Sequence, residues 1–323
     1  MNILIAGCGN IGFRHLESIL GMKQNKTIYI VDQSKESLTR CQNLTSKITT
    51  LNNKVNYFNS FDEIKTKMTI DVAIIASGAS SRADIIKKLF LKTEPTHLIL
   101  EKLLFTKISD FDFFSTFFKS YKTKVWVNQW LDDEVRFLSN LLPENENFNL
   151  NISGSQWGLC CNSVHFIEWF HAISSRKNIK LEKHNFINLV ESKRPGFFEI
   201  IGNIELSSDN KNKLVLNSDG GDNPEQSINI DITSPSIKIS CVWVDDNLNG
   251  YYKINNEAKS FFKEKIKYQS QRTYKVINDL IYDDKCKLPS YEISCEHHML
   301  FYPIFYDYFE SKGFNTFDGI PIT

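Results

Sequence analysis

The chain has 323 residues, 41% of them apolar, and its 38 lysines and arginines are balanced by 38 aspartates and glutamates. That length exceeds an ordinary single domain and predicts two, while an even charge balance excludes the basic footprint of a nucleic-acid binder. No apolar run approaches the roughly 20 residues of a membrane span, and the apolar N-terminal residues read as a strand and not as a secretion signal, so a cytoplasmic protein is expected.

Ile3-Leu4-Ile5-Ala6 reads as a buried strand that runs into Gly7-Cys8-Gly9-Asn10-Ile11-Gly12 and then a helix. The spacing Gly-x-Gly-x-x-Gly asks for glycine three times: Gly7 for a tight turn, Gly9 for backbone approach to a pyrophosphate, Gly12 for close helix–strand packing. The free N–H groups of the helix beginning at Asn10 and Ile11, with its positive dipole end, are a phosphate cradle. A second apolar strand, Thr27-Ile28-Tyr29-Ile30-Val31, ends in Asp32, twenty positions beyond Gly12. An acid there accepts hydrogen bonds from ribose hydroxyls and repels a 2′-phosphate, which favours NAD over NADP.

Strand and helix signals continue to alternate, with strands expected over residues 55–58, 71–76, 97–100 and 125–127 and helices over 82–91 and 110–121. The phenylalanines of the last helix, Phe111, Phe114, Phe117 and Phe118, form an apolar stripe that reads as core. Ligands of such sheets bind beyond the carboxyl ends of the strands. Ser77, the Glu101-Lys102 pair and Asn128 with Gln129 stand there. Past Pro143 a polar connector, residues 144–147, introduces β-like runs at 148–152, 184–191, 197–206, 213–217, 227–232 and 237–244, broken by clusters such as Asp219-Gly220-Gly221-Asp222. Helices are expected over 161–174, 273–282 and 295–309. The fold class is therefore α/β: a doubly wound parallel Rossmann domain, residues 1–130, then an α+β domain with a largely antiparallel open sheet, residues 131–323. The seven cysteines contain no Cys-x-x-Cys pair, and reduced thiols are expected. No histidine shows a metal-ligand spacing, so no metal is expected.

Over nearly its whole length the chain resembles the glucose-fructose oxidoreductase/inositol dehydrogenase/MocA group of NAD(P)-dependent sugar oxidoreductases. The resemblance rests on Gly7 to Leu16, including Gly12-Phe13-Arg14-His15-Leu16, on Glu101-Lys102, and on a helix carrying His165 and Glu168. It implies that Lys102 and His165 pair at the substrate. A histidine with an ordinary pKa near ~6.5 suits proton relay at a secondary alcohol. A lysine ammonium orients the hydroxyl and stabilises developing alkoxide charge. Two positions depart from the family pattern: Leu103 replaces the proline of Glu-Lys-Pro, which makes a cis bond there unexpected, and Cys161 replaces an aspartate four residues before His165. A neutral thiol cannot do a carboxylate's work; Cys160 and Cys161 read as small buried side chains.

The stretch from Trp157 through Asn162 to Glu168 resembles a subgroup from bacterial surface-glycan gene sets, which implies Trp157 and Asn162 as substrate contacts. Arg194, with Lys193 at a strand edge, is a candidate for a carboxylate or phosphate on the substrate. Gln269, Arg272 and Thr273, and the pair His297-His298, are further candidates to border the pocket. The function expected is hydride transfer at a carbinol or carbonyl of a sugar or activated sugar, in surface-polysaccharide or acidic-sugar synthesis. Two alternatives are an idle sensor of sugar or dinucleotide and an enzyme that uses bound NAD transiently for epimerisation or elimination. The expected partners are a small sugar-type substrate and a second copy of the chain, in a homodimer or homotetramer joined through the second-domain sheet, for which the apolar runs at 197–204 and 237–244 are candidates.

Overall fold

Strands that are covered on both faces read as unbroken apolar runs, and Ile3 to Ile5, Val72 to Ile75 and Leu98 to Leu100 are indeed buried. The computed structural model describes residues 1–48, 53–65, 68–129, 131, 134–221, 227–255, 257–268, 271–283 and 285–323; Asp222 and Gln269 lie outside them. The chain divides into two units, Met1–Asn128 with Lys267–Cys295 and Gln129–Ile266 with Glu296–Thr323.

In the first unit β1 (Asn2–Ala6), α1 (Asn10–Leu20), β2 (Thr27–Val31), α2 (Lys35–Lys47), β3 (Lys54–Phe58), β4 (Val72–Ile75), α3 (Ala79–Lys92), β5 (His97–Glu101), α4 (Ile108–Phe117) and β6 (Lys124–Asn128) alternate. The six strands form one parallel sheet in the order β3-β2-β1-β4-β5-β6. The order reverses between β1 and β4, which is where such sheets place a ligand. All six carboxyl ends lie on one edge, so the glycine turn after β1, Ser77 after β4 and Lys102 after β5 share it. The Phe105, Phe111 and Phe114 rings pack with centroids 5.0 to 5.2 Å from Phe105, as the core stripe predicted.

The second unit begins with α5 (Arg136–Ser139), β7 (Asn149–Ser155) and α6 (Leu159–Ile173), followed by β8 (Ile179–Glu191), β9 (Phe198–Ser208), β10 (Lys213–Asp219), β11 (Ile228–Thr233), β12 (Ile237–Val244), β13 (Asn247–Ile254) and β14 (Ser260–Lys265). The eight strands order as β14-β13-β12-β11-β7-β10-β9-β8. Neighbours are antiparallel except β7 and β10, which α6 and the β8–β9 hairpin separate along the chain. Alternation sends Leu150, Ile152, Leu214, Leu216, Ile230 and Ile232 to the core face. Ile200, Ile204, Ile237 and Ile239 are also buried. These isoleucines of the runs at 197–204 and 237–244 face the interior of the unit, while Val242 of the second run faces outward. The opposite face carries rows such as Asn203, Asn217, Ser153, Asn229 and Val242, in register across five strands.

The chain then returns to the first unit with α7 (Thr273–Tyr282). Next, α8 (Tyr291–Met299) crosses the division at residues 295 and 296, and α9 (Tyr302–Ser311) lies in the second unit. Residues 295–309 are therefore two helices and not one. Pro303 explains the break: it lacks an N–H, its ring would clash with the carbonyl of Met299, and it sits in the first turn of α9, where neither matters.

Candidate active site

Each glycine of the turn has its own geometry. Gly7 has φ of +89°, and a Cβ on it would lie 2.7 Å from the Ser77 nitrogen. A Cβ on Gly12 would lie 1.9 Å from the Gly7 carbonyl oxygen, so α1 can start against β1 only with glycine there. A Cβ on Gly9 would meet no atom within 4 Å. Gly9, Asn10 and Ile11 are exposed, and they begin an 11-residue helix whose first N–H groups have no side-chain cap. These are the requirements of a pyrophosphate cradle.

Asp32 stands across the turn. Its Oδ2 accepts the Cys8 N–H at 2.5 Å and its Oδ1 accepts the Ser34 N–H at 2.7 Å. Each oxygen keeps a second lone pair for a ribose hydroxyl. Arg40 of α2 donates to Asn10 Oδ1 and to the Cys8 carbonyl, both at 3.1 Å, and lies 4.6 Å over the Phe13 ring. After β4, the Ser77 hydroxyl is buried without a hydrogen-bond partner among the described residues. A buried hydroxyl beside the turn with its capacity unspent fits a ligand hydrogen bond.

Glu101 and Lys102 part company at the end of β5. Glu101 turns inward, where His15 Nε2 at 2.8 Å and Asn128 Nδ2 at 2.5 Å meet the same oxygen, and His15 Nδ1 reaches Thr273 Oγ1 at 2.8 Å. Burial alone would raise the Glu101 carboxyl, but the hydrogen bonds and charge of His15, with Asn128 and Arg82, hold it below the usual range. Glu101 and Asn128, expected at cofactor and substrate, sit in this interior network, 8% and 7% exposed. Thr273, a pocket-border candidate, is likewise interior. Lys102 is half-buried. The Lys102–Leu103 peptide is cis, contrary to the trans bond expected once the family's proline was gone. The loop there is held by Arg82 of α3, a residue sequence reasoning passed over. Its guanidinium donates to the carbonyls of Leu103, Leu104 at 2.7 Å and Ser77 at 2.5 Å, tying the ends of β5 and β4 together.

In the second unit, α6 is buried on nearly every side, and Cys161, Asn162 and His165 are the partly exposed residues of its first two turns. They lie at i, i+1 and i+4, one face of the helix. Trp157 is buried, its indole N–H donates to the Asn217 carbonyl at 2.7 Å, and Asn162 Nδ2 donates to the Trp157 carbonyl at 2.8 Å. Sequence reasoning also missed Glu199 of β9, whose Oε2 accepts the Cys160 N–H at 2.6 Å at the start of α6. An acid in the apolar run Phe198-Glu199-Ile200-Ile201 was the signal. Burial and the Glu199 charge push the Cys160 thiol well up, so it is a neutral packing group. Arg194 is exposed in a turn, 2.7 Å from Thr323 Oγ1. His297 and His298, expected at a pocket border, are 2% and 0% exposed.

A doubly wound parallel sheet with this turn has the form of a dinucleotide-binding domain. Residues 1–129 match the GFO_IDH_MocA family model, described as "Oxidoreductase family, NAD-binding Rossmann fold". No curated protein matches the chain. Among solved structures, a dehydrogenase from Chromobacterium violaceum shares the fold at 11% identity, TM-score 0.70, covering 97% of this chain and 96% of its own. The WlbA dehydrogenase from Bordetella pertussis, in complex with NADH and UDP-GlcNAcA, is 12% identical, with TM-score 0.65 and 92% of each chain covered. KijD10, a 3-ketoreductase from Actinomadura kijaniata in complex with TDP-benzene and NADP, is 12% identical, with TM-score 0.65, covering 93% of this chain and 95% of its own. Among the described residues, no helix is long and apolar enough to cross a membrane.

Proposed function

We propose that the protein transfers hydride at a secondary alcohol or carbonyl of a sugar or activated sugar, with NAD as its cofactor, in the synthesis of a surface polysaccharide or acidic sugar. Lys102 carries this reading: a half-buried ammonium on the sheet edge that also bears the glycine turn. Nucleotide-bearing ligands in the WlbA and KijD10 complexes support an activated sugar as substrate class.

The N–H groups of Gly9 to Ile11 would hold the pyrophosphate, Asp32 the adenosine ribose, and the Ser77 hydroxyl a further polar group of the dinucleotide. When bound, the nicotinamide supplies the hydride acceptor or donor. Lys102 donates a hydrogen bond to the carbinol oxygen and stabilises negative charge as it develops. His165, on the partly exposed strip of α6, takes or returns the hydroxyl proton. Glu199 supplies, at the start of that helix, the negative charge that Cys161 lacks.

The test is nicotinamide absorbance with free and nucleotide-linked sugars. Lys102→Ala is expected to lower turnover by about 10²-fold or more while leaving NAD affinity nearly unchanged; equal activity in the variant overturns the assignment. NAD is expected to bind more tightly than NADP, and Asp32→Gly to narrow that gap. Cofactor binding without turnover of any sugar would favour a sensor.

A further inference from the structure

Glu168-Trp169-Phe170-His171 puts a carboxylate and an imidazole three residues apart on α6, the Glu-x-x-His spacing by which helix bundles present metal ligands. His297 of α8, distant in sequence, reaches the same point within the second unit. One ligand atom from each of the three lies within 4.8 Å of the other two, and all three residues are buried. His297 Nε2 and His171 Nδ1 are 3.2 Å apart. Two nitrogens each bound roughly 2.0–2.1 Å from a tetrahedral zinc ion stand about 3.3 Å from one another.

The surroundings suit a cation. Two imidazole nitrogens and a carboxylate oxygen are donors of the kind zinc takes. The other His297 nitrogen, Nδ1, lies 2.7 Å from the side-chain amide of buried Gln129 and 3.3 Å from Glu168 Oε2. A hydrogen bond from Nδ1–H to the amide oxygen, after exchange of the amide's O and N, would fix the tautomer that turns Nε2 toward the metal. Arg176 lies 3.4 Å from Glu168 Oε1, but its side chain is 48% exposed, so an incoming ion displaces a guanidinium that can move into water. Expectation from sequence was of no metal, because the third ligand is 126 residues from the second.

We propose that Glu168, His171 and His297 bind one divalent transition-metal ion, of which zinc suits the donor set best, as a structural clip between α6 and α8. The site is independent of the proposed reaction. The full-length, untagged protein would be stripped with chelator, dialysed against zinc chloride and then against buffer, and assayed for metal. The expected result is one zinc per chain, with affinity at least tenfold weaker in His171→Asn and in His297→Gln and unchanged in His184→Asn, which alters an exposed histidine. Cobalt substitution of the wild-type protein gives a readout that needs no variant: a tetrahedral site produces intense visible absorption, and octahedral or surface-bound cobalt does not. Failure of the wild-type protein to take up zinc overturns the proposal, and so does uptake that both ligand variants retain undiminished. The three side chains would then be a hydrogen-bonded network in which His171 Nδ1–H donates to His297 Nε2.

Discussion

At Glu101, burial and hydrogen bonding act on one carboxyl in opposite directions, and the second wins. Because the folded group holds its proton less tightly than the unfolded one, it stabilises the fold at neutral pH, and that contribution is lost as pH falls below about 4.5. Glu101→Gln keeps the shape but removes the charge, and should cost about 1–3 kcal/mol at pH 7 while flattening the acid limb of the stability profile, measured by denaturant unfolding from pH 3 to 7. An unchanged profile would show that His15 and Asn128 do not depend on the charge. The glycine turn and Asp32 were legible because their requirements act within a few residues. The partner of His15 at Thr273 was not, since 258 residues separate them and nothing local marks either as paired.

Helix α6 illustrates the next scale. It begins after Gly158, which has φ of +88°, and has no side-chain cap of its own; the acid that meets its first N–H groups comes from a strand. Removing that charge from the positive end of a helix should cost about 1 kcal/mol, so Glu199→Ala is expected to lower the melting temperature by a few degrees. It should also reduce turnover more than cofactor affinity. Glu199→Gln, which keeps an acceptor, would recover the stability but not the turnover if charge matters to His165. The alternating runs made most strands of the second sheet readable. β13 and β14 were not, because Asn247, Asn249 and Gly250 read as turn residues and the end of β14 is charged; their place beside β12 is fixed by pairing, a non-local effect.

For the whole molecule, self-association through the second sheet remains a proposal, now resting on a polar surface. Asn151, Asp231 and Ser240 form one cross-strand row on the outward face, next to the row through Ser153. A dimer built there should be separated by Asn151→Arg, halving the mass seen by light scattering while leaving the melting temperature within about 1 °C; a wild-type monomer would refute it. The division of the chain has another consequence. The first unit needs residues 267–295 to supply Thr273 for His15 and the Tyr291 ring, 4.9 Å from Phe118. During synthesis, therefore, the dinucleotide-binding half cannot finish folding when its own sheet has emerged from the ribosome. It must wait, with His15 lacking Thr273 and Phe118 lacking the Tyr291 ring, until nine-tenths of the polypeptide has been made, and it is in that interval that the nascent chain is most dependent on protection from aggregation.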